Sequence, residues 1–219
     1  MNVQEKEKQQ KMIVQNIKGI ESATAAAVTV KDTFGKKLKD LTMHGSQTYS
    51  QEFLEKEIQK VKSDFAAKMT TVNDDIANRL EELRTLIHDR DSVLDLSNPA
   101  LTSALSLIQT IGSGITYEQA TKINANFIHD QSSLTAIRDS YKARGVSNAG
   151  KIDSLIYNVE EVIEGLKKLA YDGFVRDGSI NTFSAKLGKL ATLEGTTVET
   201  LPDVQGFNDS VRRGAGLPV

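Results

Sequence analysis

The stretch Gly145-Val-Ser-Asn-Ala-Gly150-Lys151-Ile152 is the part of this chain that comes nearest to a reactive-site motif. It satisfies the G-x-x-x-x-G-K spacing that cradles phosphates on backbone N–H groups, but Ile152 stands where a Ser or Thr hydroxyl must hold magnesium. The motif also needs a buried strand before it, whereas the residues ahead of Gly145 follow a helical pattern. The expectation is a helix–loop–helix connection punctuated by two glycines. His44, His88 and His129 are scattered, with no pair at a helical ligand spacing, so a metal site would need carboxylates converging from distant segments. His44 and His129 fall near expected helix C-termini, where an imidazolium is mildly favoured. The densest acidic spots are Asn73-Asp74-Asp75 and His88-Asp89-Arg90-Asp91. Paired carboxylates do acid–base work when an apolar pocket separates their pKa values, and on a long exposed helix they are a solvated face. No nucleophile elbow or dinucleotide fingerprint is present. The chain is therefore expected to be non-enzymatic, with no catalytic residues, cofactor or metal.

Elements that could position such groups are limited by composition. The chain has 219 residues, enough for one large domain or two small ones. Hydrophobic residues make up 39% and aromatics 5%, with three Pro and no Trp. Long helices with aliphatic stripes produce that balance, and few prolines leave them uninterrupted. The net charge of −2 supplies no whole-molecule field to draw nucleic acid or anionic lipid. Cysteine is absent, which excludes disulfides and thiolate chemistry and suits a reducing cytosol. The N-terminus MNVQEKEKQQK is too polar for a signal peptide, and Ala23 to Val30 is too short to cross a bilayer. A soluble, cytoplasmic protein that does not engage membranes is expected.

Residues 5–43 carry a seven-residue repeat: Ile13, Ile20, Ala27, Phe34 and Leu41, interleaved with Ile17, Thr24, Lys31 and Leu38. A stripe of period 3.5 is what a left-handed coiled-coil seam requires. One long helix ending around His44–Gly45 is expected, with Gly35 the point at which it could break. Residues 50–94 hold an eleven-residue repeat on Leu54, Ile58, Val61, Phe65, Met69, Val72, Ile76, Leu80, Leu83 and Ile87. Its period of about 3.67 residues keeps the stripe nearly straight along the helix. At about 1.5 Å per residue the helix would be roughly 65 Å long, more than one small domain covers. These ten residues are accordingly the expected self-association seam of a homo-oligomer. A heptad stripe and a hendecad stripe do not stay matched in one continuous two-stranded coil, which leaves self-pairing of each helix or a bundle with a local break.

After residue 95 the elements shorten. Asn98-Pro99 opens a helix to Ile111, Thr116 to Gln119 is a capping-box pattern opening another to about His129, and Asp130 to Ser133 caps a third that Gly145 ends. Asp153 to Ala170 and Ile180 to Leu193 have helical patterns, and the last 25 residues are expected to be extended or disordered. The fold class is all-α: a coiled-coil-like long-helix region over 1–95, a compact helical domain over 96–172, and a short helix with a tail over 173–219. The trihelical unit at 98–145 also allows a nucleic-acid-associated regulator, although its would-be recognition segment mixes Arg138, Lys142 and Arg144 with Asp139. The small-residue run Ser22 to Val30 reads as close helix packing rather than a membrane-touching tip, lacking basic and aromatic flanks.

The pattern NPALTSALSLIQTIGSGITYEQATKINANFIHDQSSLTAIRDSYKARG, following a long charged helix, resembles small accessory or scaffold-like proteins of tailed bacteriophages and prophages of Gram-positive bacteria. The resemblance spans about a quarter of the chain and assigns no functional residue. It implies an assembly or virion role in the host cytoplasm or the virion, with further copies and capsid-like proteins as partners. Scaffolding proteins of that kind carry a basic C-terminal helix, whereas here the C-terminus contains Gly and Pro with only Arg212-Arg213.

Overall fold

The computed structural model describes residues 3–91, 94–171, 174 and 179–201, with the backbone alone described for Val3 and for 44–48. The expected tail beyond residue 201, with Arg212-Arg213, lies outside the described residues. The fold is all-α, and the described residues contain no strand. Among the described residues seven helices follow in order: α1 (Val3–Thr48), α2 (Gln51–Asp91), α3 (Pro99–Ile111), α4 (Tyr117–Ala125), α5 (Gln131–Ala143), α6 (Val159–Tyr171) and α7 (Ser179–Leu193). Two compact units result, each built from three separate stretches of chain that cut across the sequence divisions at 95 and 172.

The first unit comprises the described residues up to Val14, Leu83–Val162 and Leu190–Thr196. Its core is formed by Leu101 and Ile108 of α3, Ala120 and Ile123 of α4, and Leu134, Ile137 and Tyr141 of α5, closed by Val146 and Ile152. Local chemistry dictates where these helices begin. The Asn98 side chain accepts from the Ala100 N–H at 2.9 Å, with Pro99 at the first helical position. Thr116 and Gln119 form a reciprocal capping box. Asp130 accepts from the Ser133 N–H at 3.0 Å. At the far end of α5, Gly145 has φ +62°, its N–H reaches the Lys142 carbonyl, and the Val146 N–H reaches back to the Tyr141 carbonyl. That pair of bonds is a Schellman motif, the role expected of Gly145.

Burial alone would push the Asp130 carboxyl up, but hydrogen bonds from Ser133 and Ser132 and the nearby Lys6 ammonium outweigh it and hold the group below its ordinary value near 3.8. A depressed folded pKa stabilises above the unfolded value and loses that contribution as pH falls through the folded one. Asp130→Ala should therefore cost about 1 kcal/mol at neutral pH. In urea titrations the difference from the parent should shrink below about pH 4. A difference that is constant or growing on acidification would contradict this account.

The second unit comprises Gln15–Glu82, Ile163–Lys189 and the described residues from Thr197 on. Here α1 and α2 form an antiparallel hairpin across Tyr49-Ser50, with the Ser50 hydroxyl accepting from the Phe53 N–H at the start of α2. The Phe34 and Phe65 rings stack at 4.2 Å between centroids, and the backbone at Gly19 faces the Arg79 guanidinium. The second pair lies 15 residues back along α1 and 14 forward along α2, so the hairpin keeps register over that span. The α1 heptad positions from Ile13 to Leu38 are all buried, including Thr24 and Lys31. Helix α1 continues through Gly35 without a break and ends at Thr48 rather than at Gly45. Flanking seam contacts on both sides of Gly35, at Phe34 and Leu38, offset the roughly 1 kcal/mol that a mid-helix glycine costs.

Later stretches of the chain join this unit. Lys167 of α6 pairs with Glu81 of α2, and Phe174 and Phe183 sit fully buried edge to face at 5.2 Å. Past α7 the chain returns along α1, where the Glu199 N–H donates to the Glu21 carboxylate. The expected helix from Asp153 is corrected: a 3-10 turn occupies Ile152–Ser154, and α6 starts only at Val159. The Gln131 amide bonds the Leu155 carbonyl at 3.0 Å and the Tyr157 N–H at 3.2 Å, so tertiary bonds replace the helical ones. Asn158 then caps α6 through the Glu161 N–H.

Candidate functional site

The expected seam divides into a covered and a partly open portion. Phe65, Met69, Ile76 and Leu80 are buried in the second unit, and Leu83 and Ile87 are buried in the first. Leu54, Ile58, Val61 and Val72 remain half-buried. Around the hairpin's outer end, Met43 is 58% exposed, Tyr49 51% and Phe53 44%. The Tyr49 and Phe53 rings approach to 4.8 Å, forming an aromatic pair that faces solvent. Apolar surface held on a rigid two-helix scaffold is suited to packing against another helix.

A cluster of polar residues lies buried in the first unit, and sequence reading did not find it. The Arg90 guanidinium, 5% exposed, lies between two carboxylates. Its Nε and Nη2 donate to Asp91 at 2.8 and 3.0 Å. Nη2 also donates to Glu194 Oε1 at 3.1 Å, Nη1 donates to the other Glu194 oxygen, and Nη1 donates to Gln10 Oε1 at 2.6 Å. The Tyr157 hydroxyl donates to Glu194, and the Gln10 amide donates to the Glu194 backbone carbonyl at 2.7 Å. Burial and the adjacent Glu194 carboxylate push the Tyr157 phenol above its usual range. Burial also raises Asp91, while the hydrogen bonds to its two acidic partners more than offset burial for Arg90 and hold its charge firmly. The donors and acceptors are turned on one another, with Glu194 only 1% exposed. The arrangement is a clasp.

A signal for this clasp was present. The stripe Leu80, Leu83, Ile87 continues at the next three-residue step to Arg90. Stepping back three from Ile13 gives Gln10, and stepping on four from Leu190 gives Glu194. Three apolar stripes each end on a polar residue, and such residues are buried when they have one another as partners.

The other sequence candidates do not converge. Gly150, at φ +58°, lies so close to α4 that an added Cβ would fall 2.7 Å from the Thr121 nitrogen. The Asn124 amide holds the Ala149 and Gly150 carbonyls at 2.9 and 3.2 Å, and its own carbonyl receives the Tyr141 hydroxyl. The Gly145–Lys151 loop is thus a packing turn on a helix. Burial pushes the Tyr141 phenol up to about 12. His88 is exposed beside Asp89, His129 Nδ1 meets the Leu193 carbonyl at 2.7 Å, and His44 has only its backbone described. Among the described residues no group of three His, Asp or Glu could hold a metal. Asp75 pairs with Arg79 along α2. In the Ser22 to Val30 run, Ala23, Thr24 and Ala27 are buried and Ser22, Ala26 and Thr29 exposed, the alternation of ordinary helix packing. No described helix is long and apolar enough to cross a membrane. On α5, Arg138 pairs with Asp139 at 3.1 Å, and Asp130 occupies the helix N-terminus.

Comparison of the chain with family models, curated proteins and solved structures finds no match.

Proposed function

We propose that this chain is a non-enzymatic structural or assembly protein that self-associates through its long helices. The observation that carries the reading is the outer end of the α1–α2 hairpin, where the stripe residues Leu54, Ile58 and Val61 are half covered and Met43, Tyr49 and Phe53 face solvent. Removing such surface from water stabilises by about 25 cal/mol per Å². A helix of matching pattern is the cover that also satisfies its own stripe. The resemblance of residues 98–145 to accessory proteins of tailed bacteriophages supports a virion or scaffold-like role, with capsid proteins as further partners and host cytoplasm or virion as its setting. The nucleic-acid reading has less behind it. Phosphates would meet the Asp130 carboxylate at the N-terminus of α5, and Arg138 is already paired.

Sedimentation velocity over a concentration series tests the proposal. The weight-average mass should rise reversibly with concentration. A compact monomer at the highest concentration reached would overturn it.

A further inference from the structure

Around the Arg90 guanidinium the clasp sets two carboxylates against one cation, Asp91 and Glu194. A third carboxylate, Asp130 at the start of α5, is near enough to repel Asp91, although it has Lys6 at 3.6 Å as its own partner. Tyr157 enters as a neutral hydroxyl and Gln10 as a neutral amide, so neither balances the surplus charge. The two acids on Arg90 differ in what they connect. Asp91 is its neighbour in sequence, and their bonds join no distant segments. Glu194 instead ties the end of α7 to a helix 104 residues earlier. There Gly195, at φ +71°, and the Thr196 N–H on the Ala191 carbonyl close the last turn.

We propose that Asp91 is the proton-binding member of the clasp, and that its protonation tightens the hold on Glu194 and closes down the end of α7. Carrying its charge, Asp91 repels Glu194 and competes for the same nitrogen, since Nη2 of Arg90 donates to the two at 3.0 and 3.1 Å. Carrying a proton, it loses most of its claim on Nη2 and leaves Arg90 in a one-to-one pair with Glu194. Burial, with Glu194 and Asp130 adding to it, holds the Asp91 carboxyl above its ordinary value against the pull of Arg90. A carboxyl with a raised folded pKa contributes stability that is full below the unfolded value and lost as pH rises through the folded one. The 190–196 segment is thus tightest in mild acid and loosest at neutral pH and above. His129 also touches this segment, donating from Nδ1 to the Leu193 carbonyl, and a proton on its Nε2 leaves that bond in place.

Hydrogen exchange at the 190–196 amides of the full chain reads this closure. The ratio of protection in Asp91→Asn to that in the parent isolates Asp91, because His129 and the other titrating groups are common to both. At pH 7 the ratio should exceed about threefold, and it should fall towards one as the pH is taken to about 4. A ratio below one at pH 7 would mean that the Asp91 charge helps to hold Glu194. A ratio constant across the range would trace the effect to packing. Either result overturns the proposal. A second measurement needs no folded Asp91 variant. In carboxyl-carbon NMR of the parent, Asp91 should titrate above the range of ordinary aspartates, and its midpoint should move down in Glu194→Gln, where the competing charge is gone. A parental midpoint at or below the ordinary one, or one that Glu194→Gln leaves unmoved, overturns the proposal as well.

Discussion

Replacing Arg90 by methionine should lower the unfolding free energy of the first unit by about 3–5 kcal/mol, because the substitution strands two carboxylates in the interior. Glu194 is 1% exposed and Asp91 is largely covered, and each takes bidentate hydrogen bonds from the one guanidinium. Without it they face each other and nearby Asp130, which already contributes to the raised Asp91. The loss should be strongly non-additive. Arg90→Met with Glu194→Gln should recover part of the deficit, since a neutral amide still accepts from Tyr157 while removing one buried charge. The measurement is urea unfolding of the parent, the two single variants and the double variant. A single-variant cost below about 1 kcal/mol would mean that the clasp is open to water and behaves as a surface pair.

Gly150→Ala should destabilise the same unit by about 2–5 kcal/mol, from a left-handed backbone conformation and overpacking together. The backbone there has φ +58°, and a methyl group would press on the α4 backbone at 2.7 and 2.9 Å, where no flexible side chain can yield. Gly145→Ala provides the control. It also has positive φ, +62°, but nothing lies within 4 Å of the added carbon, so only the conformational cost of about 1–2 kcal/mol applies. The two glycines of the phosphate-loop spacing thus separate by mechanism. A phosphate cradle would leave both variants with the conformational cost alone, whereas a packing turn makes them unequal without any ligand. Thermal unfolding of the two variants decides between these.

Much of this architecture was written in periodicity. The seam positions Ile13, Ile17, Ile20, Thr24, Ala27, Lys31, Phe34 and Leu38 are all buried, as the seven-residue repeat requires. The caps at Asn98, Thr116 and Asp130 lie where side-chain oxygens precede helical patterns. These features depend on neighbours within a turn or two, which a sequence displays directly. Misjudged elements were set by distant partners. Nothing near Asp153 announces that the amide of Gln131 will claim Leu155 and Tyr157 and delay α6 to Val159. Gln10 and Glu194 bond across a separation of 184 residues. Thr24 and Lys31 are the polar members of the seam, and a hydroxyl bonded to the Ile20 carbonyl or an aliphatic stem fills such a position well. At the hairpin's outer end, the apolar stripe is legible in the sequence, and its uneven coverage is not, because coverage depends on stretches of chain far away in sequence.

The interleaving of the two units bears on how the polypeptide is made. A ribosome releases Gln10 early, but its anchor is the carbonyl of Glu194, near the far end of the described chain. The helical hairpin can zip as soon as residue 82 emerges, whereas the clasp must wait until residue 194 has cleared the exit tunnel. Loop closure over such a span is entropically slow. During synthesis the residues of the hairpin are therefore all available before those that complete the clasp.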